Sequence, residues 1–254
     1  MVGATFAALW LLEARRPLRA SVEPRGRRTL RNAVIAAAGG LTVALLQTPV
    51  VGPLSQQVVA RRWGLLQRAR LPAGVETVLA VLLLDYTLYL WHRLTHRVPF
   101  LWAAHRVHHA DRDMDTTTAL RFHFVEMALS VPWRAAQVGL LGVSPRALAL
   151  WQSGLLVSIL FHHSNLRLPE RVERWLSWGV VTPRLHGIHH STVEAERDSN
   201  WSSGLTVWDV LHGTLRRDVP PGALTMGVPE LPEAGDVTLG RMLALPFSWH
   251  NTDP

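Results

Sequence analysis

The stretch VETVLAVLLLDYTLYLWHRLTHRVPFLWAAHRVHH, residues 75–109, decides how this chain folds. Its first part, Val75 to Trp91, is apolar except for Glu76 near its start and Asp85 inside it. Such a run approaches the roughly 20 residues that a helix needs to cross a bilayer. Without a break it passes into His92 and His96, spaced H-x-x-x-H, and then into His105, His108 and His109, spaced H-x-x-H-H. Histidines at i, i+3 and i+4 lie one turn apart on one helix face, so their imidazoles can converge on a point. Neutral imidazole is the commonest side-chain metal ligand.

The same pattern returns further along the chain. HGIHH, residues 186–190, repeats H-x-x-H-H at His186, His189 and His190, after a proline (Pro183) where a helix can begin. Between the two triplets stands HHSN, with His162 and His163. The chain has 13 histidines and no cysteine. Iron–sulfur clusters, thiolate zinc sites and disulfides are thereby excluded. Nitrogen ligands suit iron, zinc, copper or nickel, and affinity alone does not choose among them. Eight to ten histidines exceed what one ion binds, whereas two ions with four or five nitrogens each would use them all. The expectation is a dinuclear centre.

The fold expected is an all-α integral membrane helical bundle with a cytoplasmic-side helical cap that carries this dimetal site. Ala33 to Val51 is uncharged, ends at Pro49 and Pro53, and reads as a first span. Val75 to Trp91 is the second. Leu54 to Arg70 alternates apolar residues with arginines, as an amphipathic helix lying on the membrane would, with Trp63 at interface depth. Phe122 to Val143 and Ala147 to Phe161 form another apolar hairpin, broken at Gly142–Pro145. Residues 1–32 read as an interfacial or truncated helix followed by a solvated or headgroup-facing Arg-rich linker. Residues 33–219 form the membrane-embedded catalytic domain and 220–254 an irregular tail. Seven arginines between Arg15 and Arg31 precede the first hairpin, which places them and the histidines on the cytoplasmic side by the positive-inside rule.

The net charge of +7 comes without a single lysine. The arginines border apolar segments rather than forming a stripe with interleaved aromatics, so a membrane surface is a better partner than nucleic acid. Asp85, an acid inside a span, needs a partner or a function. It can accept a hydrogen bond from a ligand imidazole, or pair with an arginine or another group in the bundle. Asp111 and Asp115 can orient a ligand histidine or cap the next helix.

The order H-x-x-x-H, H-x-x-H-H, H-S-N, H-x-x-H-H resembles the fatty acid hydroxylase and sterol desaturase superfamily of membrane di-iron oxygenases. The segments DTTTALRFHFVE, FHHSNLRLP, TPRLHGIHHS and SNWSSGLTVWDVLHGT resemble that family's connections, so the likeness runs from about Leu83 to Leu215. It implies two Fe ions (with Zn a possible substitute), O₂ as co-substrate and attack on an unactivated C–H bond. It implies as metal ligands His92, His96, His105, His108, His109, His163, His186, His189 and His190, with His123 as a tenth. His162 is then a neighbour, His212 a packing residue, His250 a surface residue and Asp209 a partner of a ligand histidine.

The function expected is an O₂-dependent membrane oxidoreductase, a lipid hydroxylase, desaturase or monooxygenase. Trp91, Phe122, Trp151 and Leu155 are candidate lining residues for the lipid substrate. The chain has no dinucleotide fingerprint, haem motif or cysteine cluster, so an external electron donor (ferredoxin, reductase or b-type cytochrome) is implied. The alternative is a membrane zinc metallohydrolase, but such sites add an acid among the ligands, as in H-E-x-x-H, and none stands within these boxes. A metal transporter would string its histidines along a path through the membrane, whereas these gather just past span ends.

Overall fold

Residues 2–248 are described by a computed structural model, in which no strand occurs among the described residues and thirteen α-helices are joined by short 3₁₀ turns. His250 lies outside them. The long helices run α2 (Arg25–Thr42), a π-helical turn (Val43–Gln47), α3 (Thr48–Ala60), α5 (Ala73–Arg97), α7 (Phe124–Leu141) and α8 (Pro145–His163). Shorter ones are α1 (Val2–Arg15), α4 (Gly64–Arg68), α6 (Pro99–His109), α9 (Glu170–Leu176), α10 (Pro183–His189), α11 (Glu194–Arg197), α12 (Val207–Leu211) and α13 (Leu239–Ala244). Two segments are long and apolar enough to cross a membrane: Arg25–Arg68 and Ala73–Arg97. Leu41, Leu45, Val78 and Leu140 are each more than half exposed, an apolar belt that a bilayer would cover.

The first span is longer than expected. Pro49 and Pro53 do not end it, because the π-helical turn widens the helix just ahead of them. Pro49 then occupies the first turn of α3, where its missing N–H costs nothing, and the Thr48 hydroxyl donates to Val43 O at 3.1 Å. Leu54 to Arg70 is therefore not one surface helix but the end of α3, a tight turn with Arg62 at φ 52°, and the five-residue α4. Gly64 and Gly142, both at positive φ, cross so closely that a Cβ on Gly64 would strike Gly142 N and one on Gly142 would strike Trp63 O. Val51, Leu66, Leu84, Val138, Leu148 and Trp151 fill the core between α3, α4, α5, α7 and α8.

The Arg-rich linker is only partly solvated. Arg28 and Arg31 are buried, with Arg28 paired to Asp111 and Asp115 and Arg31 to Glu23. The stretch looks hydrophilic in sequence because Asp111 and Asp115, the acids that pair with buried Arg28, lie more than 80 residues away. α1 is likewise tied to protein: buried Glu13 accepts from Thr116 N, Thr116 Oγ1 and Asn165 N. The last described segment, residues 226–248, also carries packed side chains. Val228, Leu231, Val237, Met242 and Leu245 form a core with Ile35 of α2 and Val107 of α6.

Candidate metal centre

Four helix ends build the site. α5 carries His92 and His96 and stops where Val98, extended because Pro99 follows, turns the chain back into α6. α6 carries His105, His108 and His109. α8, started by the Ser144 cap and Pro145, delivers His163 at its C-terminus. α10 starts with Thr182 Oγ1 accepting from Leu185 N and Pro183 in its first turn, and it presents His186, His189 and His190.

Nine buried histidines fall into two groups, within each of which the ligand nitrogens lie within 4.8 Å of one another. His92, His96, His105, His109 and His189 form one; His108, His163, His186 and His190 form the other. The two H-x-x-H-H boxes do not each serve one group. The outer pair of the first box joins the first group and its middle histidine the second. The second box does the reverse.

The ring tautomers carry the chemical argument. His92 Nδ1 lies 2.7 Å from Trp201 O, and His189 Nδ1 lies 2.9 Å from Ser199 O. A carbonyl only accepts, so each Nδ1 carries the proton and each Nε2 presents a lone pair. Yet these two Nε2 atoms stand 3.0 Å apart. Two lone pairs facing each other repel, unless a cation lies between them. Nitrogens bound at about 2.1 Å and at right angles to each other around one ion sit about 3.0 Å apart, so the spacing fits. The second group repeats the arrangement: His163 Nδ1 donates to Ile159 O, and its Nε2 lies 3.0 Å from Nε2 of both His108 and His186. Both ring nitrogens of His96 and of His109, and Nε2 of His105, are buried with no protein partner. A polar atom buried without a partner is costly, and a metal ion would satisfy these. Burial first, then neighbouring imidazoles, hold His108, His109, His186, His189 and His190 well below the ordinary imidazole range. They are neutral at pH 7, the form that ligates.

His123 stands apart from both groups. Its Nδ1 accepts from Val125 N at 3.2 Å and caps α7, while its Nε2 is buried without a partner, outside the two clusters. His162 is buried beside His186 but in neither group. His212 stacks on Tyr86 and Tyr89.

None of the four acids singled out in the sequence hydrogen-bonds a histidine: Asp111 and Asp115 meet Arg28 and neighbouring threonines instead. Asp85 accepts from Trp208 Nε1 at 2.7 Å and Leu205 N at 3.1 Å, a bond within the bundle that pins the segment after α11 to α5. Asp209 accepts from Trp201 N, Ser202 N and Thr214 Oγ1. It acts one step further back than expected, holding the loop whose carbonyl holds His92. Trp201, almost fully buried, packs edge-on against His92, His96 and His189.

The carboxylate that does meet a ring is Glu126, which accepts from His105 Nδ1 at 2.8 Å. In sequence Glu126 stands three residues from His123, yet it meets a ring on another helix. The available signal was an acid in the first turn of an apolar helix that starts beside the boxes. Such partners fix ring orientation and basicity. Glu126→Ala should weaken metal affinity by about 10–100-fold, read by competition with a chelator on purified protein. Unchanged affinity would reduce Glu126 to a helix-start residue.

Below the histidines opens a cavity of about 640 Å³, lined mainly by apolar side chains of α2, α3, α5, α7 and α8. Trp91, Phe122, Trp151 and Leu155 all line it, as do His92, His105, His108, His163 and His186.

A profile of the fatty acid hydroxylase family matches residues 77–214, more than half of the chain. An ornithine lipid hydroxylase of Rhizobium tropici is 32% identical over 180 residues, covering 70% of this chain and 52% of its own. The alkylglycerol monooxygenase of Xenopus tropicalis is 31% identical over 132 residues, 52% of this chain and 28% of its own. Cholesterol 25-hydroxylase of Mus musculus is 26% identical over 151 residues, 59% of this chain and 49% of its own. This chain thus spans about half the length of the first and less than a third of the second. No solved structure matches it.

Proposed function

Because this chain belongs to the fatty acid hydroxylase family, we propose that it is a membrane oxidoreductase that uses O₂ to oxidise an unactivated C–H bond of a lipid. Two iron ions, one held by each histidine group, would supply O₂ activation when bound. The observation that carries the reading is the pair of bare Nε2 atoms on His92 and His189, 3.0 Å apart at the head of an apolar cavity. The remaining work falls to the chain itself. Trp201 O, Ser199 O, Ile159 O and Glu126 hold four imidazoles in the ligating tautomer. The cavity walls exclude water and align an apolar chain beneath the histidines. Electrons would come from a separate ferredoxin, reductase or cytochrome.

A zinc hydrolase is the second reading, and one observation favours it. Glu126 Oε2 is buried without a partner and Glu126 lines the cavity, so an acid stands near the ligands after all. The two readings part on stoichiometry and O₂. Protein from iron-supplied cells should hold close to two metals per chain. Lipid extracts from cells with the gene should contain species one oxygen heavier, or two hydrogens lighter, and these should vanish without O₂. Product formed without O₂ would favour the hydrolase.

We place the histidines on the cytoplasmic side. The cap exposes Arg15, Arg16, Arg167, Arg171 and Arg174, a surface of the sign that stays in the cytoplasm. Arg61, Arg62, Arg68, Arg70 and Arg146 at the opposite end weaken the bias without reversing it, because the cap also exposes Arg97 and Arg241. With no native cysteine, single cysteines at exposed Ala195 and Ala69 report the two faces. An impermeant thiol reagent should label A69C in intact cells and A195C only after lysis. The opposite pattern would invert the topology.

A further inference from the structure

Halfway down α7 a cation faces the apolar cavity, and the one acid among the described residues that lines the same cavity, Glu126, is about two turns away and turned to His105. Arg134 is among the cavity-lining residues, and no carboxylate pairs with it among the described residues. Its guanidinium lies 4.3 Å over the Trp151 ring. Nη1 donates to Gln137 Oε1 at 2.6 Å, and Gln137 Nε2 in turn donates to Thr87 Oγ1 at 2.5 Å. Those contacts fix the plane of the group and use one nitrogen. Nε is buried without a partner, and Nη2 makes no hydrogen bond with the protein. Nε and Nη2 together form the side-on edge of a guanidinium, the fork that matches a carboxylate with two parallel bonds.

A charge at this depth is expensive and marks a function by default. Gln47, Thr48 and Gln152 line the same cavity and add further polar groups to its mainly apolar wall. We propose that Arg134 anchors the carboxylate of a single-chain, acid-terminated lipid, so that the chain extends from Arg134 toward the histidines. This rests on the lipid-oxidation reading above and adds the substrate class to it. Eight residues of helix separate Glu126, which holds His105, from Arg134, a rise of about 12 Å. The bond presented to the metal ions would then lie well along the chain, not beside the acid group. Arg134 touches substrate but no reacting atom, so it sets affinity and position.

The test is binding of a fluorescent polyunsaturated fatty acid, and of its methyl ester, to purified metal-loaded protein in detergent. The wild type should prefer the acid by about tenfold or more. Arg134→Gln should lose that preference while its affinity for the ester and its metal content stay as in the wild type. Arg134→Lys, which keeps the charge but not the fork, should recover part of it. Equal binding of acid and ester by the wild type, no binding of either, or an undiminished preference in Arg134→Gln would each overturn the assignment. Oxygen-dependent lipid oxidation in cells together with equal binding would leave the oxidoreductase standing and remove only the role of Arg134. A variant that loses metal as well would show that Arg134 is a packing partner of Trp151, which also overturns it.

Discussion

Replacing His189 by Ala is expected to abolish turnover and to lower bound metal, while the protein still inserts in the membrane. His189 belongs to the first group and faces His92 Nε2 at 3.0 Å. Losing a ligand forfeits several kcal/mol of metal-supplied stabilisation, and about 4 kcal/mol corresponds to about a thousandfold in rate. His108→Ala and His163→Ala should do the same through the second group. Insertion depends on the apolar segments 25–68 and 73–97, which none of these changes touches. His162→Ala is the informative control, being as buried as the others but outside both groups. It should keep both metals. If His162→Ala loses metal and His163→Ala keeps it, the assignment within HHSN is reversed.

The second large effect is on stability. Arg28→Ala should cost about 3–5 kcal/mol, the range for breaking a buried ion pair by removing one partner. Arg28 is 2% exposed and is shared between Asp111 and Asp115, with a further donation to Asp113 O at 3.1 Å. Without it, two buried carboxylates remain, with Arg31 as the only other cation that pairs with Asp111 among the described residues. Thermal unfolding in detergent, followed beside the exposed Arg27→Ala, measures the difference. A loss no larger than that of Arg27→Ala would mean that water reaches the acids and that the network is not buried in solution.

Much of this site is readable from spacing, because helical periodicity is a local property. Two H-x-x-H-H boxes and one H-x-x-x-H announce ligand faces before any coordinates exist. What spacing does not contain is the partition. Whether His108 joins His105 or His163 depends on where α8 ends relative to α6, a long-range fact. The partners of the rings escape for the same reason. Backbone carbonyls of Ser199 and Trp201 have no sequence signature, and Glu126, three residues from His123 in sequence, pairs with a ring on another helix. The fold follows the same rule. The apolar segments are plain in the sequence, but Arg28 and Arg31 read as solvated until their acids, far along the chain, are seen beside them. Pro49 and Pro53 read as a stop because the π-helical turn that absorbs them leaves no local mark.

The crossed sharing of the two boxes also has a consequence in time. A ribosome releases α5 and α6 long before α10, and proteins begin folding from the end made first. The first group lacks His189 until the chain has reached that residue, and the second lacks His186 and His190 until almost the same moment. Neither half can be finished early. Through most of its synthesis the chain offers only partial nests of imidazole, and both close within the addition of a single helical turn.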